Sequence, residues 1–590
     1  MKLYSLLVWG LVAPLQPTGE PLVGSTAVEA SSLVQETRIP WTAETVEHLF
    51  NRAGFGARPK EIERALRMAP EEVVENLLKG GRFVEPPYYE QGSMQDYDLP
   101  EGVSRQEQRR AKAIRSKNDR AQLKLYTEWW IDRMVEGDDP LRDRMTLFWH
   151  GLFATAHSTV KRSYDMIEQH RKLRKGALGN YGELLNGIVK DPAMILYLDN
   201  DKNKKSAPNE NLARELMELF SLGEGQYTEQ DIKEVARALT GEFRDKLGNY
   251  RFSKKDHDGG TKVILGERGK FKAREVVGIL LRQTACSRYI AGRLLIYFEG
   301  VKPDELRLTE YAGFLARSKY ELKPFLNKLL LDPRFYREEA LAARVASPVD
   351  YFVGSTRRLD LDLDSQFLYL AAADLGQELF DPPSVKGWDE GEAWIHTGSL
   401  LGRGNTMGLM LGTIHLEDTF LPLGEEVDPL AERGPARKPE PRGSREASME
   451  DDMQDSMEDS MGDSMGETME DGDSMQSTSE AMATRTKIPK EFAELVRALG
   501  KSYRPSLNLS HRLNRAKIAT DLQVVEVMLD SLLAITPPAD THQRVLTYFT
   551  GERVAAGLTE DAFLSQPEVA EDILRRLAHL ILSLPEAQLL

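Results

Sequence analysis

The sequence has almost no cysteine, since Cys286 is the single residue of this type. One cysteine cannot form a disulfide within the chain, which excludes the small secreted domains that depend on a disulfide framework. Cys286 lies in a helix-like, partly apolar stretch, "LRQTACSRYIAG". We therefore interpret it as a packed thiol rather than as a nucleophile.

The chain also has no excess of positive charge, since its 77 Lys and Arg are outnumbered by 93 Asp and Glu, which gives a formal net charge of −16, and no stretch is a dense basic cluster. Nucleic acid is therefore not expected as a partner. Between Ala447 and Met475 there are eleven Asp and Glu residues and no Lys or Arg, with methionine at every fourth position from Met449 to Met469. Because Gly, Ser and Asp are poor helix formers and like charges repel, we predict that residues 421–487 form a disordered low-complexity insert. A copper(I) site built from the thioethers is the alternative.

No hydrophobic run reaches the roughly 18 residues that a membrane-spanning helix needs. The longest apolar stretch, "LYSLLVWGLVAPL", follows Lys2 and precedes small residues near Ala27 and Ala30. This order is typical of a secretory signal peptide, which we place at residues 1–30. We expect a periplasmic or secreted protein that meets the membrane only through its export signal.

Several familiar catalytic motifs are missing, namely G-x-G-x-x-G, the P-loop and H-E-x-x-H. G-x-S-x-G occurs once, from Gly462 to Gly466 in the acidic low-complexity stretch, where the sequence predicts no flanking strand and helix. Sequence support is therefore lacking for dinucleotide binding, for a serine hydrolase and for a zinc protease of these types. The spacing of residues assigns neither a metal nor a cofactor, and both stay unknown at this stage.

Most of the sequence has apolar residues at helical spacing. We predict a mainly α protein: a large multi-helix composite domain at residues 41–420, and C-terminal helices at residues 488–590 that pack on it. The stretch "TEQDIKEVARALTG" is an example, because Thr228 and Asp231 have capping-box spacing and an apolar face follows. The exception is "YRFSKKDHDGGTKVILG", where two β-like runs flank a glycine-rich turn and predict a small β-hairpin.

One predicted helix, "APNENLARELMELFSLGEG", carries a polar strip beside its apolar face. Asn211, Glu215 and Glu218 fall at positions i, i+4 and i+7. Arg214 is four residues from both Glu210 and Glu218, so ordinary surface ion pairs are one interpretation. Adjacent carboxylates that bind a hard cation or act as acid and base are the other.

Two histidines are candidates for proton transfer or metal binding, His150 in "FWHGLF" and His257 in "HDGGTKVILG". The Asp-Gly-Gly at residues 258–260 is explained by turn geometry alone. Turn geometry does not explain the presence of His257 or of the neighbouring Lys262. An exposed or structural imidazole is the alternative for both histidines.

Nine motifs follow one another along the chain: "HLFNRAGFGARPKEI", "FWHGLF", "GALGNYGELL", "DPAMILYLDN", "NENLARELMELFSLG", "YTEQDIKEVARALTG", "HDGGTKVILG", "SPVDYFVG" and "GQELFDPPSVKGWDEGEAWI". In this order they resemble a bacterial family known as domain of unknown function 1800, from about Trp41 to Phe420 and again at the C-terminal end. The resemblance implies an exported, largely α-helical protein with no established activity, and it suggests another exported protein as a partner.

The chain departs from the family pattern at two places. Many relatives have Phe-Trp-His-Asn-His-Phe where this sequence has Phe148 to Phe153 with Leu152 in place of the second histidine. The tryptophan that is common after Thr-Gly is replaced by Glu242 and Phe243. If relatives bind a metal through the histidine pair, half of that pair is missing here.

Two function classes remain open. The favoured one is a non-catalytic assembly or binding protein of the cell envelope. The alternative is an envelope or extracellular hydrolase, metal-dependent or not, which requires the turn at His257 to fold onto the helix that begins near Pro208. Its catalytic residues would be Glu215, Glu218, His257 and His150, and its substrate-binding residues would be Asn209, Asn211, Arg214 and Lys262.

Overall fold

The structure is a computed structural model that describes residues 39–81, 84–89, 103–245, 247–414, 505 and 507–590. The predicted signal peptide and the acidic insert lie outside the described residues. The described chain is mainly α-helical, as predicted, with two small antiparallel sheets. None of its helices combines the length and the apolar character needed to cross a membrane.

In the first third of the described residues, the regular secondary structure is all helical. Proline is the first residue of four of these helices, where its missing N–H would have no partner in any case. The helices are α1 (Ala43–Ala53), α2 (Pro59–Ala65), α3 (Pro70–Lys79), α4 (Arg105–Glu136), α5 (Pro140–Leu152), α6 (His157–Val160), α7 (Ser163–Gly176), α8 (Tyr181–Val189) and α9 (Pro192–Tyr197).

The middle of the chain contains the predicted polar helix and all of the described strands. The predicted capping box is present, since the Thr228 side chain accepts from the Asp231 N–H and the Asp231 carboxylate accepts from the Thr228 N–H. The elements are α10 (Asn211–Met217), which continues as a π-helical turn (Glu218–Leu222), α11 (Glu229–Ala238), β1 (Glu242–Arg244), β2 (Tyr250–Phe252), β3 (Lys262–Ile264) and β4 (Glu267–Gly269).

The strands pair differently from the predicted hairpin. Strand β2 pairs with β1, with Phe243 opposite Arg251, and β3 pairs with β4, with Val263 opposite Arg268. The two β-like runs were identified correctly, but they do not pair across residues 258–260. Each run instead pairs with its sequence neighbour on the other side, and all four strands have three residues.

After the strands, the chain again forms helices. Helices α13 and α14 pack against each other along their length. The elements are α12 (Ala273–Arg282), α13 (Thr284–Glu299), α14 (Glu305–Arg317), α15 (Leu322–Leu330), α16 (Pro348–Leu359), α17 (Ser365–Asp374) and α18 (Thr397–Leu411).

The C-terminal helices contact the earlier part of the chain. The last long helix, α23, packs against α18, and the Leu590 N–H donates to the Arg344 carbonyl at 2.8 Å. The Arg403 guanidinium, which is fully buried, donates to the Gln588 side chain at 2.9 Å. The elements are α19 (Leu509–Arg515), α20 (Asp521–Leu532), α21 (Ala539–Ala555), α22 (Glu560–Phe563) and α23 (Pro567–Leu582).

The main hydrophobic core is built from α1, α5, α8, α10 and α12 to α15. Trp149 of α5 lies at its centre, with its ring stacked on Phe153 and Tyr181 at centroid distances of 5.8 and 5.7 Å. The Trp149 indole N–H donates to the Ala177 carbonyl at 3.1 Å, so the one polar atom of the side chain is satisfied. This packing fixes α5, which carries His150 and one wall of the cleft described below.

Candidate functional site

The two predicted asparagines shape the start of α10. The Asn209 N–H donates to the Asn203 side chain at 3.0 Å, and the Asn211 N–H donates to the Asn209 side chain at 2.9 Å. The second bond satisfies an N–H at the helix start, which otherwise has no partner within the helix. These contacts give Asn209 a local structural role.

Arg214 forms the surface ion pairs that its spacing allowed. Its guanidinium contacts Glu229 at 2.9 Å and Glu210 at 3.4 Å, and all three side chains are substantially exposed. Such exposed pairs contribute little to stability. Glu218 is on a different side of this arrangement and accepts a hydrogen bond from the Tyr227 hydroxyl at 2.7 Å.

Glu215 has the more unusual environment of the two carboxylates. Burial raises the pKa of Glu215, and the nearby carboxylate of Glu218 raises it further. The positive charges of Arg214 and Lys386 act in the opposite direction. Lys386 belongs to a distant part of the sequence, so the fold brings Glu215 close to the segment around residue 386.

His257 and Lys262 belong to a separate network that holds the glycine-rich turn. His257 Nδ1 bonds to the Thr240 carbonyl at 2.9 Å, and its ring packs on Phe252 with a centroid distance of 5.2 Å. The buried Lys262 ammonium donates to the carbonyls of Asp258 and Gly260. Both side chains therefore stabilise the turn in which they lie.

The turn contacts the loop before α10 rather than the polar strip of that helix. The Lys205 N–H donates to the Asp256 carbonyl at 2.8 Å, and the Gly241 N–H donates to the Asn203 carbonyl at 3.0 Å. Within the described parts of the chain, no hydrogen bond or ion pair joins His257 or Lys262 to Glu215 or Glu218. The main-chain contacts place the two segments side by side but leave their polar side chains with different partners.

His150 is buried among aromatic rings. Its ring centroid is 4.9 Å from Phe380, 5.2 Å from Trp388, 5.5 Å from Trp130 and 6.1 Å from His170. The Phe380 N–H donates to His150 Nε2 at 3.1 Å. Since Nε2 is the acceptor, the neutral ring carries its proton on Nδ1.

This environment makes His150 a poor base and a poor metal ligand. Burial lowers the pKa of His150 to about 3, far below the value near neutrality that suits a general base. Burial also lowers the pKa of His170, whose Nδ1 contacts the Tyr126 hydroxyl at 3.0 Å. A metal on His150 Nδ1 would have to displace the proton from that atom. Among the described residues, no group of three or more His, Cys, Asp or Glu side chains is arranged to hold a metal ion.

Trp388 separates His150 from a cleft at the protein surface. The cleft has a volume of about 140 Å³, enough for roughly ten water molecules. Gly387 has φ of 91°, and a Cβ there would lie 2.6 Å from the Gly151 carbonyl, so the chain approaches α5 this closely only with glycine. We call this feature the Trp388 cleft. It is lined by Leu147, Phe148, Gly151, Leu152, Arg293, Ile296, Tyr297, Gly300, Ala343, Arg344, Val345, Ser347, Gln377, Lys386, Trp388, Asp389, Glu390, Gly391 and Trp394.

The charged side chains of the cleft are held by their neighbours. Arg293 forms an ion pair with Glu390 at 2.7 Å. Arg344 lies over the Tyr297 ring, with 4.5 Å from its guanidinium carbon to the ring centroid, and its Nη2 donates to Asp350 at 2.7 Å. Arg344 Nη1 is buried and has no hydrogen-bond acceptor in the protein. Of the seventeen buried side-chain atoms without a partner among the described residues, Arg344 Nη1 and Trp388 Nε1 belong to residues that line this cleft, which makes the cleft a candidate position for a bound group.

The Trp388 cleft was not predicted as a site from the sequence. Its signal was visible in "PPSVKGWDEGEAWI", where two tryptophans and four charged residues surround two glycines. None of the predicted site residues lines the cleft. Two of them interact with residues that do: Glu215 with the charge of Lys386, and His150 with the ring of Trp388.

Comparison with known families agrees with the motifs. A family described as "Protein of unknown function (DUF1800)" matches residues 48–589. The chain belongs to this family. No curated protein and no solved structure matches it. The Trp388 cleft of this DUF1800 protein lies within the matched region.

We expect His150 to make this DUF1800 protein acid-sensitive. The folded-state pKa of His150, about 3, is below the ordinary 6.5, so the unfolded chain takes up the proton first as the pH falls. The stabilisation is complete above pH 6.5 and is lost as the pH falls from 6.5 towards 3. Between pH 7 and pH 5 the loss is about 2 kcal/mol.

The measurement is urea unfolding of the wild type and of His150→Gln at both pH values. The wild type should lose about 2 kcal/mol more than His150→Gln on acidification. His511→Gln, at an exposed position in α19, is the control and should behave as the wild type. Equal pH dependence of the wild type and His150→Gln would show that His150 is not responsible.

Proposed function

We propose that this DUF1800 protein is an exported, non-catalytic binding protein of the cell envelope and that the Trp388 cleft is its ligand site. The observation that carries the proposal is the cleft itself, which is lined by Trp388, Trp394 and Arg344, whose buried Nη1 has no acceptor. Concave sites with aromatic walls and a few placed polar groups are typical of small-ligand binding.

The placement of the predicted catalytic residues favours binding over catalysis. His257 and Lys262 hold a turn, and His150 is sealed behind Trp388 with a pKa of about 3. General acid–base catalysis needs groups within hydrogen-bond reach of the substrate and a pKa near the working pH. Neither histidine meets both conditions.

The export part of the proposal rests on the first 30 residues of the sequence. A basic Lys2, an apolar stretch and small residues follow one another in the order of a signal peptide. Fractionation of the native host, with N-terminal sequencing of the mature chain, tests this part. A mature protein that begins after Ala27 or Ala30 is expected, and a chain that keeps residues 1–30 in the cytoplasm would contradict it. Another exported protein is the partner we propose.

A hydrolase is the second candidate, because one observation favours it. Glu215 has a raised pKa, has Glu218 as a neighbour and lies close to Lys386 at the cleft. A carboxylic acid with a raised pKa is suited to protonate a leaving group. In this candidate, Glu215 would be the general acid and a polymer in the cleft would be the substrate.

Calorimetric titration with small sugars tests binding at the cleft. The probes are glucose, N-acetylglucosamine and glucuronate. At least one should bind the wild type and lose at least tenfold in affinity in Trp388→Ala, since the variant removes an aromatic wall. Trp41→Ala is the matched control, because Trp41 packs at the start of α1 and bonds to the Ala65 carbonyl. Absence of binding by all three probes would contradict the proposal.

The same proteins distinguish binding from hydrolysis. The wild type and Glu215→Gln are incubated with peptidoglycan and polygalacturonate, and new reducing ends are measured. No release by either protein is expected. Release by the wild type that is lost in Glu215→Gln would overturn the non-catalytic proposal in favour of the hydrolase.

A further inference from the structure

We infer that the ligand of the Trp388 cleft is an acidic sugar, a hexuronic acid whose carboxylate binds Arg344 and whose ring lies against Trp388. This inference rests on the proposed ligand site and goes further by assigning the chemical class of the ligand.

The first argument is the charge beneath the cleft. Arg144 and Arg344 share the single carboxylate of Asp350, whose Oδ1 accepts from Arg144 and whose Oδ2 accepts from Arg344. Arg144 is fully buried, and the Arg344 side chain is 12% exposed. A third buried guanidinium, that of Arg52, lies close to this group, so the positive charges outnumber the side-chain carboxylate between them. Because an unpaired buried charge is costly, an anion is the expected partner.

The second argument is the position of the unused donor. Asp350 holds Nη2 of Arg344, and the Tyr297 ring supports the guanidinium plane. Nη1 is the buried nitrogen without an acceptor, and Arg344 lines the cleft. The arginine is therefore already oriented for an acceptor group, so little side-chain entropy would be lost on binding.

The third argument selects a singly charged group. Arg293 is neutralised by Glu390, and Lys386 and Asp389 carry opposite charges at the same rim. The one nitrogen of Arg344 that has no acceptor, Nη1, matches one carboxylate group. A doubly charged phosphate would bring a second negative charge close to Asp389 and Glu390, which repel it.

The fourth argument concerns the rest of the ligand. A volume of about 140 Å³ accommodates one pyranose ring rather than a long chain segment. Trp388 and Trp394 provide aromatic surfaces for the C–H face of a sugar. Gln377 uses its Oε1 to accept from the Val349 N–H at 2.8 Å, which leaves its amide nitrogen as a donor for a hydroxyl group. Lys386 and Asp389 supply further polar contacts at the rim.

Calorimetric titration of the full-length protein with matched small molecules tests the inference. The probes are glucuronate, its neutral amide glucuronamide, glucose, acetate and inorganic phosphate. Glucuronate should bind at least tenfold more tightly than each of the others. The comparison with glucuronamide needs no protein variant, so it stays informative even if substitutions in the cleft impair folding.

Variants then assign the preference to Arg344. Arg344→Gln should lower glucuronate affinity at least tenfold and leave glucose affinity unchanged. Arg344→Lys, which keeps the charge, should retain part of the preference. Arg288→Gln removes an exposed arginine that pairs with Glu305 outside the cleft and should bind as the wild type.

The outcomes separate the inference from the proposed function. Equal binding of glucuronate, glucuronamide and glucose would overturn the acidic-sugar inference and keep the cleft as a ligand site. Acetate or phosphate binding as tightly as glucuronate would overturn the sugar part. An unchanged preference in Arg344→Gln would overturn the role of Arg344. Absence of binding by every probe would overturn both the inference and the proposed site.

Discussion

Asp350→Asn should lower the free energy of unfolding by about 3–5 kcal/mol, because it leaves two buried cations without a counter-ion. Burial by itself would raise the pKa of the Asp350 carboxyl, but Arg144 and Arg344 hold it at about 2. The carboxylate is therefore ionised in the folded protein and is the counter-ion that both guanidiniums contact. Asparagine has almost the same shape, so the effect reports the lost charge and not a cavity.

Urea unfolding at pH 7, followed by circular dichroism, measures this effect. Glu229→Gln is the control, since it breaks an ion pair with Arg214 at the surface, where the Glu229 side chain is 67% exposed. It should change stability by less than about 1 kcal/mol. A loss in Asp350→Asn no larger than that of the control would refute the view that Asp350 anchors this cluster.

Trp149→Ala should be of similar severity, with a loss of about 3–5 kcal/mol. Trp149 is fully buried and contacts the rings of Phe148, Phe153 and Tyr181. The substitution opens a cavity between α5 and α8 and leaves the Ala177 carbonyl without its donor. Both effects act on the helix that carries His150 and one wall of the cleft.

Thermal and urea unfolding of three variants check this prediction. Trp149→Phe keeps most of the apolar volume and should lose clearly less than Trp149→Ala. Trp41→Ala, at a half-buried position, should also lose less. If the three variants were equally stable, the centre of the core would have to lie elsewhere.

The helices were largely predictable because their signals are local. Thr228, Asp231 and Gly241 mark the limits of α11 in the sequence, and the observed capping box and the φ of 81° at Gly241 agree with them. An apolar stripe at helical spacing and a cap lie within about a dozen residues of each other, so no distant contact is needed to recognise them.

The strand pairing was not predictable to the same degree. The runs at Tyr250–Phe252 and Lys262–Ile264 are strands, but each has two neighbouring turns that could serve as its hairpin. Three-residue strands have few cross-strand contacts to favour one register. The choice depends on packing against α11, where the Asp231 and Glu234 carboxylates accept from N–H groups of Leu265 and Val263.

The Trp388 cleft was not predicted from the sequence. The sequence grouped Glu215, Glu218 and His150 with His257, and none of these residues lines the cleft. Arg344 and Trp388 were not identified, because their importance depends on partners that are distant in the sequence. The unusual feature of Arg344 is that it shares the Asp350 carboxylate with Arg144, and this contact is visible only in the folded structure.

The linear order of residues was sufficient for the family, the helical class and most helix limits, since periodicity and capping act over a few neighbouring positions. Three-dimensional packing decided which polar groups are in contact and which hydrogen-bond donors remain without an acceptor. The burial of His150, and with it the pKa of the imidazole, depends on the helices and aromatic rings that surround it. One of these neighbours, Phe380, is more than two hundred residues away in the sequence.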